Sequence, residues 1–396
     1  MRLASVMAIL PLLALASPIA ETRTEPAPLY LHEPEHSLVA RGGSDKFIIK
    51  FKGDSPSYTL DLVLERVKHE NVVHHYKDGF LGLTAQLDRA TVEDLRMIPG
   101  VEYIEQDSVG SIAGFKTQPS APWGLSRISH REPDSEGYVY DEAAGEGVCV
   151  YITDSGIDVD HPDFGTRARR GRSFVDDSKI DDEGHGTHCA GIVGSTSCGV
   201  AKQAELIGVK VIRKDGTFKF SDLIAAYNWI KDDVGWRKCE NGVVVSSSLG
   251  GNFSQSLNDA ADSLVDRGFF VAVSAGNNNS DVSQFSPASA PKVCTVGGTQ
   301  SDDKRYTQSN WGPLIDVNAP AVHVRSTVPG GKWDYYTGTS MAAPHVAGLA
   351  AYLATKMGVK VTPDLCQTIV RMSTKNAITD QMPNTVNNIA YNGNPT

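Results

Sequence analysis

Three short segments hold residue types that together could activate a hydroxyl group. They are Asp154-Ser155-Gly156, His185-Gly186-Thr187-His188 and Gly338-Thr339-Ser340-Met341-Ala342. A serine hydroxyl is a weak nucleophile at neutral pH, but a histidine with an unperturbed pKa of about 6.5 can remove its proton. A carboxylate beside the histidine fixes its tautomer and stabilises the imidazolium. The order Asp, His, Ser along the chain is one of the known solutions for such a triad.

The elements around these segments are suited to place them at one cleft. Asp154 ends an apolar strand, and ligands of open α/β sheets gather at the carboxyl ends of the strands. His185 opens a helix of small residues, and Ser340 stands at the start of a helix that is almost entirely small or apolar. The free amides and the positive dipole end beside Ser340 suit a developing oxyanion. These features predict nucleophilic catalysis by Ser340, with His185 as base and Asp154 as its orienting group.

Two other enzyme classes are weighed against this interpretation. A metal site would use His185 and His188 with Cys189, Asp181 or Asp182 as further ligands. The two histidines lack the i,i+4 spacing and the glutamate base of the zinc peptidase helix. The serine also lacks the G-x-S-x-G surroundings of α/β-hydrolase esterases, which disfavours a secreted esterase or lipase.

Residues 116–396 predict a large α/β domain. Its strand-like segments are continuous apolar runs, which is typical of a parallel sheet covered by helices on both faces. Clear examples are Val148-Cys149-Val150-Tyr151-Ile152, Leu206-Ile207-Gly208-Val209-Lys210-Val211 and Val243-Val244-Val245-Ser246.

The first part of the chain predicts export and a small separate unit. Residues 1–20 are typical of a signal peptide, with Ala14-Leu15-Ala16 as a further cleavage motif. Residues 21–45 are rich in Pro and Glu and predict a flexible leader. Residues 46–107 alternate strand and helix patterns, which predicts a small α+β sandwich. Residues 108–115 predict a processing linker.

Composition restricts the classes of partner and indicates the compartment in which the chain functions. The 396 residues carry a formal net charge of -10, which argues against nucleic acid or an anionic membrane as partner. A secreted chain permits disulfides, and six cysteines leave fifteen complete pairings open.

The motifs in this order, behind a signal and an α+β unit, resemble the subtilisin-like serine proteases, and most closely the proteinase K branch of secreted fungal enzymes. The resemblance covers nearly the whole chain after residue 45. It implies a subtilase catalytic domain preceded by a ferredoxin-like propeptide that assists folding and inhibits the enzyme. It also implies Asn277 as the side chain that stabilises the oxyanion, together with the backbone N–H of Ser340.

The same resemblance implies where a protein or peptide substrate binds. Two edge segments are expected to clamp an extended peptide, and a third group is expected to form the primary pocket. The candidate substrate-binding residues are Gly216, Thr217, Phe218, Ser248, Leu249, Gly250, Ala275, Gly276 and Phe285. Because the pocket group carries no charge, we expect a preference for apolar or aromatic residues before the scissile bond. If the segment Gly216-Thr217-Phe218 is extended, the Phe218 side chain would border the pocket for the substrate residue four positions before the scissile bond. It would make that pocket shallower.

Disulfides and calcium are likewise implied by the resemblance alone. It pairs Cys149 with Cys239 and Cys294 with Cys366, and it matches Cys189 to a free buried cysteine. A structural calcium site would use the carbonyls of Pro291 and Val293 and the Asp316 carboxylate.

We therefore expect a secreted, monomeric, self-processing serine endopeptidase that binds structural calcium and needs no catalytic cofactor. The rival from another class is a secreted binding or inhibitory protein on a catalytically dead protease fold. The intact set of Asp154, His185, Ser340 and Asn277 speaks against that rival.

Overall fold

The computed structural model describes four stretches of the chain, residues 23–31, 45–56, 58–107 and 115–394. The chain divides into two compact units, residues 1–112 and 113–396. The predicted signal peptide lies outside the described residues. So does most of the predicted linker, residues 108–114, whereas Phe115 is described and lies in a strand of the second unit.

The N-terminal unit is an α+β sandwich. Its described elements are β1 (Leu29–Tyr30), β2 (Asp45–Phe51), α1 (Thr59–Arg66), β3 (Val72–Tyr76), β4 (Gly82–Leu87), α2 (Arg89–Arg96) and β5 (Val101–Gln106). The strands form one sheet in the order β1-β5-β2-β4-β3. Alternate residues of β2, Phe47, Ile49 and Phe51, are buried in one apolar core with Val63 of α1 and Leu95 of α2.

The structure corrects two expectations for this unit. Part of the predicted flexible leader is ordered, because Leu29–Tyr30 pair in parallel with β5 and Ala27 is fully buried. Backbone hydrogen bonds explain that order, since the Ala27 N–H donates to the Arg96 carbonyl at 2.9 Å. The alternating strand and helix patterns over residues 46–107 also did not indicate the strand Val72–Tyr76, which pairs with β4 at the sheet edge. Its mixed apolar and polar residues do not alternate in burial, so the usual strand signal is weak.

The second unit is built around a nine-stranded sheet. Its described elements are β6 (Phe115–Gln118), α3 (Trp123–Ser129), β7 (Tyr138–Asp141), β8 (Val148–Asp154), β9 (Ala168–Ser173), α4 (His185–Gly194), β10 (Glu205–Lys210), α5 (Phe220–Asp233), β11 (Gly242–Ser247), β12 (Gly251–Asn252), α6 (Gln255–Asp266), β13 (Phe270–Ser274), β14 (Phe285–Ser286), β15 (Cys294–Thr299), β16 (Val317–Pro320), β17 (Val324–Val328), β18 (Lys332–Tyr336), α7 (Thr339–Lys356), α8 (Leu365–Met372), β19 (Thr374–Lys375) and β20 (Asn388–Ile389). The large sheet has the order β19-β20-β16-β15-β13-β11-β8-β10-β9, and every neighbouring pair except β19–β20 is parallel.

Both faces of this sheet are covered, as the continuous apolar strands predicted. In β8, Val148, Val150 and Ile152 face a core shared with α4 and α7. The intervening Cys149 and Tyr151 face a second core shared with α5 and α6. The fold is therefore the predicted parallel-sheet, helix-covered α/β domain.

The cysteines pair as the resemblance implied. Disulfides join Cys149 to Cys239 and Cys294 to Cys366. Cys189 and Cys198 are free and buried. Both disulfides tie a strand of the large sheet to a distant part of the chain, which restricts the unfolded state.

The central helix α7 packs closely because its residues are small. Its 18 residues are almost all buried, and Gly348 lies against Val193 of α4 and against Val200. A Cβ atom at residue 348 would come within 2.9 Å of the Val193 carbonyl oxygen and 2.8 Å of the Val200 Cβ. Neither α7 nor any other helix in the described stretches is long and apolar enough to cross a membrane.

We predict that Gly348→Ala destabilises the protein by about 1–3 kcal/mol, although alanine favours helix formation, because the helices must move apart. Urea unfolding in a Ser340→Ala background, which prevents self-digestion, measures this loss. Gly235→Ala is the matched control, since nothing lies within 4 Å of a Cβ at that residue. Equal stability of the two variants would contradict the close packing of α4 and α7.

Candidate active site

The candidate triad lies where three elements of the second unit begin or end. Asp154 is the last residue of β8, and His185 is the first residue of α4. Ser340 is the second residue of α7. The carboxyl ends of parallel strands and the amino ends of the helices that cover them meet at one edge of the sheet, and the predicted site lies there.

Asp154 and His185 are joined by a buried hydrogen bond. The His185 Nδ1 atom lies 2.8 Å from Asp154 Oδ1 and 3.0 Å from Oδ2. Asp154 has no solvent exposure, whereas 22% of the His185 side chain is exposed. Burial alone lowers the pKa of His185, but the charge of Asp154 and its hydrogen bond outweigh burial and raise the pKa well above 6.5. The carboxylate therefore fixes the Nδ1–H tautomer and leaves Nε2 for a proton transfer.

The amides at the start of α4 bind groups that fix the position of His185. The His185 N–H donates to Glu183 Oε2 at 2.8 Å, and the Gly186 N–H donates to Ser155 Oγ at 2.8 Å. Gly186 has no room for a side chain, because a Cβ there would lie 2.1 Å from the Gly156 carbonyl oxygen. The residue after the histidine must therefore be glycine if the helix is to approach the end of β8 this closely.

Asp181 connects the same helix to β8 and is a positioning residue that the sequence did not reveal. Its Oδ2 atom accepts from the Thr187 N–H at 2.9 Å and from the Thr187 hydroxyl at 2.5 Å. Its Oδ1 atom accepts from the Ser155 hydroxyl at 2.8 Å and from the Gly184 N–H at 2.7 Å. Both carboxylate oxygens thus face donors, and Asp181 is buried. No local sequence signal distinguishes this aspartate from its neighbours.

Ser340 is held by Ser248 in this structure. The Ser340 hydroxyl donates to the Ser248 carbonyl at 3.1 Å rather than to His185, and the Ser248 hydroxyl donates back to the Ser340 carbonyl at 2.8 Å. Catalytic hydrogen bonds are often long or misaligned without substrate, so this contact does not argue against Ser340 as the nucleophile. The Cys189 thiol lies beneath both groups, 3.7 Å from His185 Nδ1, and donates to the Ser340 carbonyl at 3.4 Å.

The Asn277 amide is oriented by the start of α7. Its Oδ1 atom accepts from the Thr339 N–H at 2.8 Å and from the Thr339 hydroxyl at 3.0 Å. A backbone N–H can bond only to the amide oxygen, so these contacts leave the Nδ2 donor for another acceptor. Asn277 and Ser340 line the same cleft. An Nδ2–H and the Ser340 N–H are the donor pair that an oxyanion requires.

A cleft of about 420 Å³ is lined by His185 and Ser340 of the candidate triad and by most of the predicted substrate-binding residues. The predicted residues that line it are Gly216, Phe218, Ser248, Leu249, Gly250, Ala275, Gly276 and Phe285. Ile212, Asn252 and Ala288 also line it and were not predicted. No sequence pattern indicated these three residues, because they lie on three separate loops and strand edges.

Thr217 differs from the expectation, since it is not among the residues that line the cleft. Its hydroxyl instead donates to Asp215 at 2.6 Å. The reason is a turn, in which the Gly216 N–H donates to the Arg213 carbonyl and Gly216 has a φ of +78°. This turn interrupts an extended backbone at Gly216, and Phe218 lines the cleft.

The structure does not support the metal alternative. The His188 Nε2 atom contacts the backbone carbonyls of Val324 and Asp334 at 3.1 and 3.3 Å. Burial lowers the pKa of His188 to about 4, as expected for a neutral core histidine. Asp181 accepts hydrogen bonds from its neighbours, and Asp182 pairs with the Lys210 ammonium. Cys189 does lie beside His185 and Asp154, but His188, Asp181 and Asp182 are engaged elsewhere and do not join that group.

The candidate calcium residues lie at the amino ends of two neighbouring strands, opposite the end of the sheet that carries the candidate triad. Pro291 and Val293 immediately precede β15, and Asp316 immediately precedes its parallel neighbour β16. The Asp316 Oδ2 atom accepts from the Thr295 N–H at 2.8 Å. Burial raises the pKa of Asp316 to about 6, and only this hydrogen bond opposes the shift. A partly buried carboxylate that has no ion pair within the described part of the chain fits an oxygen-only cation site.

An α/β sheet whose strand and helix ends carry this acid, base, hydroxyl and amide at one cleft defines a serine hydrolase. Comparison with known proteins identifies the family within the class of serine hydrolases. The model of the subtilase family matches residues 145–393, and that of the peptidase inhibitor I9 family matches residues 46–113.

Curated relatives and a solved structure agree with these matches. The chain is 43% identical to a cuticle-degrading protease of Metarhizium anisopliae over 99% of this chain and all of that protein. It is 42% identical to proteinase R of Parengyodontium album over 99% of both chains. The crystal structure of a cold adapted subtilisin-like serine proteinase is 35% identical, with a TM-score of 0.65 over 69% of this chain and 98% of that one.

The chain belongs to the subtilase family and carries an inhibitor I9 propeptide. It is a subtilisin-like serine peptidase of the fungal proteinase K type, as its sequence predicted.

We predict that Asp181→Asn lowers kcat by roughly 10- to 100-fold and changes KM much less, because small displacements of catalytic groups are costly. The new NH2 group would face donors at either carboxylate position, so the start of α4 and His185 must shift. Steady-state kinetics and thermal unfolding are measured together, with the exposed Asp177→Asn as matched control. An unchanged kcat in the folded Asp181→Asn variant would show that Asp181 does not position His185.

Proposed function

We propose that this protein is a secreted serine endopeptidase that hydrolyses peptide bonds of proteins through an acyl-enzyme on Ser340. The observation that carries the proposal is the convergence of the Asp154–His185 pair, the Ser340 hydroxyl and the Asn277 amide on one cleft. Family membership supports the peptidase activity, and the positions of these side chains support their individual roles.

In the acylation step, His185 Nε2 removes the Ser340 proton while Oγ attacks the scissile carbonyl carbon. Asp154 holds the ring and stabilises the imidazolium that forms. The carbonyl oxygen becomes an oxyanion, which accepts hydrogen bonds from Asn277 Nδ2 and the Ser340 N–H. Loss of one such donor typically costs about 10²–10³ in kcat.

The tetrahedral intermediate then collapses. His185 gives its proton to the leaving amine, the C–N bond breaks, and the acyl group remains as an ester on Ser340. A water molecule, deprotonated by His185, attacks that ester in turn. The same base and oxyanion donors thus serve both halves of the reaction.

Substrate binding is proposed to occur by strand addition. Ser248, Leu249 and Gly250 line the cleft together with Gly216 and Phe218. Main-chain hydrogen bonds to such segments bind any sequence. Ala275, Gly276 and Phe285 form an uncharged wall for the residue whose carbonyl is attacked. This pocket supports a broad preference for apolar or aromatic residues before the scissile bond.

The enzyme is proposed to be made as a zymogen that cleaves itself between the two units. The inhibitor I9 match supports the N-terminal unit as an intramolecular inhibitor. The Lys356 ammonium lies 5.2 Å from the centre of the Phe115 ring, and Lys356 is the last residue of the helix whose second residue is Ser340. Those ends are about 24 Å apart along the helix. Cleavage in cis of a bond close to Phe115 therefore requires β6 to leave its partner β7 first.

We predict that Ser340→Ala accumulates as an unprocessed precursor in a protease-deficient host, because it lacks the nucleophile for its own cleavage. Intact-mass measurement detects the precursor, and casein hydrolysis tests the proposed activity in the same preparations. Wild-type protein should mature and digest casein faster than it hydrolyses a long-chain ester. Normal maturation of Ser340→Ala would show that processing occurs in trans, and an ester preference in the wild type would favour the esterase alternative.

Structural calcium is proposed to bind Asp316 and the carbonyls of Pro291 and Val293. Cys294 and Cys366, which lie near this carboxylate, are joined in a disulfide and cannot supply thiolate ligands. A bound divalent cation would neutralise the buried carboxylate and tie the starts of β15 and β16 together. It has no role in the chemical steps.

We predict that chelation lowers the melting temperature of the wild type and changes that of Asp316→Asn much less. A ligand at 100 times its Kd contributes about 2.7 kcal/mol if it binds only the folded state. In chelator, Asp316→Asn should be at least as stable as the wild type, because the unpaired buried charge is gone. Thermal unfolding with and without calcium measures both effects, and equal calcium shifts in the two proteins would place the ion elsewhere.

Secretion is proposed from residues 1–20 and from the two disulfides, which persist in oxidising compartments. The formal net charge of -10 supports proteins rather than nucleic acids or anionic membranes as partners. We propose that the mature enzyme acts as a monomer, since all the candidate active-site groups come from one chain.

A further inference from the structure

The cleft that holds His185 and Ser340 contains one acidic side chain among the described residues that line it. That residue is Glu183, two positions before His185. The remaining lining residues are neutral, apart from the histidine itself. The primary pocket wall, including Ala275 and Phe285, is uncharged, so the Glu183 charge acts on a different part of a bound substrate.

Glu183 is exposed and holds its charge at the His185 side of the cleft. Its Oε2 atom accepts from the His185 N–H at 2.8 Å, which fixes one carboxylate oxygen and leaves the other for a further donor. None of the ion pairs found among the described residues includes Glu183, whereas the neighbouring Asp182 pairs with Lys210. The Glu183 charge therefore has no neutralising partner within the described part of the chain.

The geometry points to Glu183 as a specificity residue, which recognises a cationic substrate side chain directly before the residue in the primary pocket. This inference rests on the proposed peptidase function and narrows its substrate class. Successive side chains of an extended peptide point to opposite faces. If the first residue before the scissile bond enters the neutral pocket, the second one points away from it, and the cleft residues outside that pocket include His185 and Glu183.

If Glu183 had only a structural role, its charge would not affect which substrate side chains are preferred. The carboxylate also satisfies a first-turn amide of α4 and interacts favourably with the helix dipole. A glutamine would retain the hydrogen bond to the His185 N–H and remove the charge. Glu183→Gln therefore separates recognition of a cation from support of the helix.

The expected effect is modest and sensitive to salt. An exposed ammonium–carboxylate pair changes binding about two- to fivefold, and added salt screens it. Norleucine is the appropriate neutral reference for lysine, because it has the same linear side chain without the ammonium group. Comparison of these two residues cancels most differences in apolar contact.

The test uses mature wild-type enzyme, Glu183→Gln, Glu183→Lys and the exposed control Asp177→Asn. Each is assayed on tetrapeptides with phenylalanine before the scissile bond and lysine, norleucine or glutamate preceding that phenylalanine. The kcat/KM ratios are measured at low and high sodium chloride concentration. Asp177→Asn makes the same charge change outside the cleft, so it reports the effect of net charge alone.

We expect wild type and Asp177→Asn to prefer lysine over norleucine about two- to fivefold at low salt, with the preference reduced at high salt. Glu183→Gln should lose the preference, and Glu183→Lys should favour the glutamate peptide. Equal lysine-to-norleucine ratios in wild type and Glu183→Gln would overturn the inference. Failure of the wild type to cleave even the norleucine peptide would instead contradict the proposed function.

Discussion

A carboxylate with no solvent contact, Asp154, lies 2.8 Å from the Nδ1 atom of His185, and the geometry of the candidate site follows from that contact. A buried charge is costly unless it is paired and hydrogen-bonded. The end of β8 and the start of α4 must therefore meet with little freedom. Gly186 permits the approach, and Asp181 ties the helix start to Ser155, the residue after the carboxylate.

The same constraint extends through the core to the nucleophile. The helix that begins with His185 packs against the helix that carries Ser340, and small residues keep the two close. Two hydroxyls from β17 hold the first of these helices from outside: Ser326 donates to the His188 carbonyl at 2.7 Å, and Thr327 donates to the Thr187 carbonyl at 2.9 Å. The separation of base and nucleophile is thus a property of core packing as well as of the side chains themselves.

The sequence predicted most of the fold and the candidate triad because those features leave local signals. Apolar runs such as Val148–Ile152 indicate strands that are buried on both faces, and glycines beside Asp154, His185 and Ser340 indicate tight turns. Asp181 could not be singled out, since its role depends on donors that only the folded chain brings together. Thr217 was assigned to substrate binding by the resemblance to the proteinase K branch, whereas in the structure its hydroxyl donates to Asp215 beside a turn.

Short strands at sheet edges were also difficult to predict from the sequence. Leu29–Tyr30 lies in a segment whose Pro and Glu content is typical of a leader, and its pairing with β5 depends on tertiary hydrogen bonds.

Glu183 was also missed, because an acid near the histidine has no distinctive spacing. Its contrast with the neutral residues around it becomes visible only when all the described residues that line the cleft are compared.

The rate at which a serine-directed phosphonate labels the mature enzyme tests the central claim most directly. Peptide mapping should find the label on Ser340 alone, since only that hydroxyl has an activating base. The labelling rate should rise with pH through an apparent pKa above 6.5, because His185 must be neutral to accept the proton and Asp154 raises its pKa. Absence of label on Ser340, or a rate that does not change with pH in this range, would contradict the account.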